Sequence, residues 1–132
     1  MTTGTRREAR ERALSLLYEA EAKSQGADVL LTEQPVAPDA YVTDLVNGVA
    51  ARAAEIDGFI TTYAKGWAID RMPAVDRALL RLAIFELLGQ PDVPVAVVID
   101  EAVELAKRYS TDDSGRFLNG LLSRIATEVR PS

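Results

Sequence analysis

Arginines and aromatic rings keep company at two places in the chain. Arg6, Arg7, Arg10 and Arg12 crowd the first residues with only Glu8 and Glu11 to offset them, and Tyr18 follows at helical spacing. Arg116 and Phe117 form a second pair near the other end. Guanidinium forks meet phosphates bidentately, and exposed rings stack on single-stranded bases at ~1–3 kcal/mol each. Both places therefore carry residue types suited to RNA contact. Both also admit a plainer reading, an aromatic at the core edge beside solvated arginines.

Carboxylates cluster twice. Asp100, Glu101 and Glu104 could do acid–base work or hold a divalent cation. They share a regular helical stretch with Lys107 and Arg108, and Glu104 and Arg108 have i,i+4 spacing, so a solvated helix face is expected. Asp70, Arg71, Asp76, Arg77 and Arg81 surround the start of an apolar segment. There Asp76 suits a helix N-terminus, and the cluster also forms a charged rim fit for a protein partner. The chain has no His and no Cys. That removes Ser–His–Asp and Cys–His catalysis, thiol redox chemistry, disulfides and nearly every zinc site. The eight glycines are scattered and form no phosphate loop. What remains for an enzyme is carboxylate, Lys, Tyr or Ser chemistry, and no catalytic constellation of those residues is in sight; no metal or cofactor is expected.

The elements that must position these residues read as helices throughout. Thr5 and Glu8 have capping-box spacing, opening a helix from about Thr5 to Ser24 whose Ala9, Ala13, Leu16, Leu17 and Ala20 share one buried stripe. Arg7, Arg10, Leu14 and Tyr18 fall on the adjacent flank, and Gly26 ends the helix. The segment from Gly26 to Pro38 is a connector with one short turn at Asp28–Leu31. A long helix follows from about Asp39, with a seam of Val42, Val46, Val49, Ala53, Ile56, Ile60 and Tyr63. Gly48 there can permit close helix approach, and Gly58 or Gly66 can mark a break. Ala74 to Leu88 is apolar on nearly all sides, the pattern of a buried central helix. Val93–Ile99 is rich in Val and Ile, but Pro94 suits a helix start and the 3.6-residue period continues unbroken to Lys107. The last helix begins near Asp113 or Ser114, capped by Asp112, Asp113 or Ser114, and buries Leu118, Leu121, Leu122 and Ile125.

Composition agrees with an all-α domain. The 132 residues are 48% hydrophobic, enough for a packed core in one domain. Fifteen Lys and Arg face twenty Asp and Glu for a net charge of −5, so any nucleic-acid site must be local. The charged start lacks an apolar leader and no run is long enough to span a membrane, so a cytoplasmic protein is expected.

In ordered motifs the chain resembles the NusB family of bacterial transcription antitermination factors. The matching stretches are Arg-Arg-x-Ala-Arg-x-x-Ala-Leu-x-x-Leu-Tyr (Arg6 to Tyr18), then Asp76-Arg-Ala-Leu-Leu-Arg-Leu-Ala-Ile-Phe-Glu86 and Asp92-Val-Pro. Asp100-Glu-Ala-Val-Glu-Leu-Ala-Lys107 and Asp113-Ser-x-Arg-Phe-Leu-Asn-Gly120 follow, and Gly26–Pro38 matches poorly. The resemblance implies one helical RNA-binding domain over 1–132, with five to seven helices and an N-terminal three-helix part packed on a C-terminal helical part. It further implies a non-enzymatic factor that pairs with the ribosomal protein NusE and binds boxA RNA of nascent ribosomal RNA transcripts. With RNA polymerase and the other Nus factors, that complex suppresses premature termination. Carried over by position, Arg6, Arg7, Arg10 and Tyr18 match the RNA-binding motif of the first helix. Arg116 and Phe117 match a second RNA-contacting place beside Asp113, and Asp76 matches an acidic NusE-facing position. Some relatives self-associate, so a homodimer belongs among the expected states. Two other classes stand beside this one. A similar module begins certain ribosomal RNA cytosine methyltransferases, against which the short length argues, and a helical protein–protein adaptor would make no RNA contact at all.

Overall fold

The computed structural model describes residues 5–131, which form seven α-helices and one 3-10 turn, with no strand among them. The part of the basic head before Thr5 lies outside the described residues. Helix α1 (Arg6–Ala22) opens on the expected capping box: the Glu8 amide donates to Thr5 Oγ1 at 3.1 Å, and the Thr5 amide to Glu8 Oε1 at 3.3 Å. Its predicted apolar stripe is buried. The helix ends earlier than Gly26. Ser24 takes the left-handed conformation at φ 52°, and Gly26 instead sits at the N-cap of the short helix α2 (Ala27–Thr32).

The expected long helix is two, α3 (Ala40–Ala51) and α4 (Ala53–Tyr63), joined at Arg52 with φ −114° and ψ 23°. Neither Gly58 nor Gly66 makes this break. Val42, Leu45, Val46 and Val49 are buried where α3 packs on α1, α2 and the central helix, whereas Ile56 and Ile60 are buried where α4 meets the central and last helices. One straight rod could not serve both sets of neighbours, so tertiary packing overrides an unbroken local pattern. Gly66, at φ 84°, lies just beyond α4, and a 3-10 turn (Ile69–Arg71) leads to α5 (Ala74–Gly89).

Helix α5 is the buried centre that its sequence predicts, touching α1, α3, α4 and both C-terminal helices. Its approach to α3 depends on glycine: a Cβ on Gly48 would lie 2.1 Å from Phe85 Cζ. The open carbonyls at its C-terminal end are closed by Arg130, which donates to the carbonyls of Glu86, Leu87, Gln90 and Val93. Helix α6 (Val95–Tyr109) takes up the Val-rich run behind Pro94, as the helical reading requires. Helix α7 (Asp112–Val129) packs along α6, and its cap is Thr111 rather than an Asp or Ser114. The Ser114 amide donates to Thr111 Oγ1 at 2.9 Å. Helices α1–α3 pack on one another, α4–α7 form the second part, and a continuous apolar core runs through both.

Candidate nucleic-acid interface

The capping box fixes where the first turn of α1 emerges, and with it Arg6 and Arg7. Arg6 lies over the Tyr41 ring at 4.5 Å and reaches Asp92 at 3.3 Å, both charges remaining exposed. Arg7 clasps Glu101 of α6 bidentately, Nε to Oε1 at 3.2 Å and Nη2 to Oε2 at 2.8 Å. Its side chain is still 59% exposed and Nη1 is not engaged in the clasp. The Arg7 hydrogen bond, outweighing burial and helped by the charges of Arg7 and Arg10, holds the Glu101 carboxyl below the usual carboxylate range. Glu101 is thus drawn off the solvated face expected of Asp100, Glu101 and Glu104, and Arg108 turns to Glu11 at 3.3 Å instead of Glu104.

Arg10 does not share the outer flank. Its side chain is 5% exposed and forks onto Glu86 of α5, Nε to Oε1 and Nη2 to Oε2, both at 2.8 Å. Tyr41 of α3 donates its hydroxyl to the same carboxylate at 2.6 Å, and Arg10 Nη1 reaches Glu101 at 3.4 Å. Arg10 and Leu14 lie between the buried stripe and the exposed flank in helical phase. A carboxylate waiting on α5 turns that margin inward. Burial works against the Arg10 charge, yet hydrogen bonding and charge from Glu86 prevail and raise its pKa. Burial first, then Glu86, pushes the Tyr41 hydroxyl pKa up. Sequence reading passed over Glu86, although a lone acid within the apolar run 82–88 signals a buried cation nearby.

Tyr18 remains on the flank, 48% exposed, beside a shallow cavity of 310 Å³ that it lines with Leu14, Val75 and Tyr109. Tyr109 donates its hydroxyl to Glu11 at 2.8 Å, so the surface from Arg7 through Glu11 continues to the end of α6, and three residues further on α7 begins. There Arg116 pairs with Asp113 in the open, and Phe117 packs half-buried against Trp67, ring centroids 5.9 Å apart at 51°.

Asp76 is not on an exposed rim. It is 3% exposed, its Oδ2 accepts from Ser114 Oγ at 2.7 Å, and Oδ1 has no hydrogen-bond partner. The first turn of α5 faces the first turn of α7, whose hydroxyls draw the carboxylate inside. The charged rim is carried instead by Arg77 and Arg81, which engage Glu21 and Asp57. The Arg77 hydrogen bond, with burial opposing it, holds the Glu21 carboxyl below its ordinary range.

Among the described residues no group of acidic side chains is placed to hold a metal ion, and no helix is long and apolar enough to cross a membrane. The NusB family model matches residues 7–127. The transcription antitermination protein NusB of Saccharopolyspora erythraea is 51% identical over 129 residues, covering 93% of this chain and 87% of its own. A solved T. maritima NusB is 36% identical with a TM-score of 0.87, covering 96% of this chain and 94% of its own. A crystal structure of antitermination factors NusB and NusE in complex with dsRNA contains a chain 29% identical, with a TM-score of 0.80, covering 93% of this chain and 96% of its own. Shared helices, shared length and half the residues in common with an antitermination protein decide the matter: this chain belongs to the NusB family.

Proposed function

We propose that this chain is a transcription antitermination factor that, with the ribosomal protein NusE, binds the boxA element of nascent ribosomal RNA and suppresses premature termination. It works on RNA polymerase alongside other Nus factors. Half identity to a transcription antitermination protein along nearly the whole chain carries the reading, and a solved complex of a relative and NusE with dsRNA supports the pairing and the contact with RNA. The role is binding rather than catalysis, by one domain, in the cytoplasm where transcripts emerge.

The exposed side chains support a division of labour. Arg7 can turn Nη1 to a phosphate while Glu101 steadies the rest of its guanidinium, and Arg6 stands beside it. Tyr18 offers a ring to a base, and Arg116 with Phe117 repeats the combination at the start of α7. Arg10 serves from below, by anchoring α1 to α5. Asp76 serves indirectly too: through Ser114 it sets where the first turn of α7 presents Asp113, Arg116 and Phe117. The RNA read this way is single-stranded, because bases stacked in an A-form helix do not reach protein rings.

Anisotropy of a labelled boxA-like RNA, against a scrambled one, tests the proposal across a salt series with and without NusE. Sequence-dependent binding that tightens with NusE and weakens steeply with salt is expected. A complex with NusE that ignores RNA would replace this reading with the helical protein adaptor.

A further inference from the structure

The chain has one tryptophan, and it stands 56% exposed just after Gly66. A ring that large is normally buried or engaged, so its position asks for a ligand. Trp67 leans on Phe117 of α7 and walls an open cavity of 590 Å³ with Tyr63, Lys65 and Arg124. Two cations line that cavity and no carboxylate does, on a chain whose net charge is −5. Arg124 donates to the Tyr63 carbonyl at 3.4 Å, so its guanidinium keeps most of its donors for something else. On the far side of the same rings the lining is mixed, with Arg71, Asp76 and Asp113, so the cationic side is the one that suits an anion. An aromatic face beside two cations with no carboxylate in the cavity lining fits a ligand that is itself part aromatic and part anionic.

We infer that Trp67 and Phe117, flanked by Lys65 and Arg124, form a nucleotide-binding platform for single-stranded RNA, one base on the Trp67 ring and the adjoining phosphate at the cations. The inference rests on the RNA-binding reading above and deepens it. The first turn of α7 then becomes the middle of the track rather than its end, because Phe117 follows Arg116 in the chain and packs on Trp67. A strand leaving Arg116 passes over the rings toward α4 and the C-terminal half of α7. The geometry also separates the roles: the ring supplies contact that does not depend on salt, and the cations supply contact that does.

The single tryptophan makes the test direct. Wild-type chain and Trp67→Phe are titrated, each with NusE, against an end-labelled single-stranded boxA-like RNA, reading anisotropy and tryptophan emission together. The difference between the two proteins isolates the Trp67 signal. Quenching of Trp67 that saturates with the anisotropy is expected. Trp67→Ala should bind roughly 5- to 100-fold more weakly with its salt slope unchanged, and Trp67→Phe should keep most of the affinity. Lys65→Ala and Arg124→Ala should each lower the salt slope by about one. Thermal melts of every variant run alongside, and should Trp67→Ala not fold, the wild-type emission and the folded Trp67→Phe decide. Wild-type affinity in folded Trp67→Ala, or unchanged Trp67 emission while anisotropy reports binding, overturns the platform and leaves the RNA-binding reading standing. No RNA binding by the wild type with NusE overturns both.

Discussion

Removing the Glu86 carboxylate should unfold this protein more readily than any substitution on the exposed flank of α1. That carboxylate accepts three short bonds, from Arg10 Nε and Nη2 at 2.8 Å each and from the Tyr41 hydroxyl at 2.6 Å. In Glu86→Ala the Arg10 guanidinium, 5% exposed, keeps a 3.4 Å contact with Glu101 and a place 5.9 Å from the centre of the Tyr41 ring. A buried charge stripped of its main partner costs about 3–5 kcal/mol, against total stabilities of about 5–15 kcal/mol for a domain. At about 3–5 °C per kcal/mol for a chain of this length, the melting temperature should fall by roughly 10–25 °C. The double variant Arg10→Met/Glu86→Gln removes the charge pair while leaving Tyr41 an acceptor, and should recover most of the loss. Urea and thermal unfolding followed by far-ultraviolet circular dichroism read both. The same double variant also tests whether Arg10 meets RNA. Folded, it should keep the wild-type salt slope, since a buried arginine releases no counterion. A Glu86→Ala loss under about 1 kcal/mol, a double variant no more stable than the single, or a salt slope reduced by one would each refute the buried-anchor account.

On the surface above that anchor, Arg7→Ala should weaken binding to all RNAs and lower the salt slope by about one, whereas Tyr18→Ala should lose about 1–3 kcal/mol of RNA affinity with slope and melting temperature nearly unchanged; an unchanged affinity in either, by anisotropy with NusE, removes that residue from the track. Gly48→Ala drives a Cβ into the Phe85 ring and should cost about 1–3 kcal/mol, while Gly58→Ala, whose Cβ meets nothing within 4 Å, should gain up to about 1 kcal/mol from helix propensity. Chemical denaturation of the pair separates packing from propensity, and equal effects in the two would contradict the close approach of α3 and α5. Stability should also fall in acid, because the carboxyls of Glu101 and Glu21 titrate below their ordinary 4.5 when folded. Their contribution is complete above about pH 4.5 and is lost as pH drops through the depressed folded values, so Glu101→Gln should flatten the acid limb of a melting-temperature profile.

Helices α1, α5, α6 and α7 are legible in the sequence because their apolar residues repeat at helical spacing, and the first three also start on a recognisable cap or proline, whereas the Thr111 cap of α7 is hidden among neighbouring Asp and Ser that suit the same place. The division at Arg52 is not. No Gly or Pro stands there, and the cause lies in partners that the two halves meet only after folding. The same limit governs the site. Arg7 and Tyr18 keep the exposed flank that helical spacing gives them, since exposed side chains need nothing beyond their own helix to be where they are, whereas Arg6 enters only through the family resemblance. Arg10 sits on the margin between stripe and flank, where helical phase does not choose, and a carboxylate 76 residues away decides. Asp76 is taken inside by Ser114, 38 residues on. Trp67 follows a glycine in a region without periodicity, so its place against Phe117 has no local signature.

The contrast between Arg7 and Arg10 shows how one helix can hold both an arginine open to a ligand and a structural one. Both guanidiniums are clasped by two nitrogens on a carboxylate of a neighbouring helix, so geometry alone does not distinguish them. Burial does. The Arg7 pair is open to water on one side only, with Arg7 59% and Glu101 14% exposed, so a phosphate competes for Arg7 at far lower cost than for a guanidinium buried with its partner. Breaking the Arg10 pair costs several times more, beyond what one phosphate contact returns. The open clasp carries a further consequence. Glu101 already restricts the Arg7 side chain, so less rotamer freedom remains to be lost on binding, but its negative charge stays beside the incoming phosphate. Specific geometry is thereby kept while net attraction is held down, on a chain whose net charge is −5. A partner that brings positive charge beside this flank tips the same exchange toward RNA without altering a single contact within the chain.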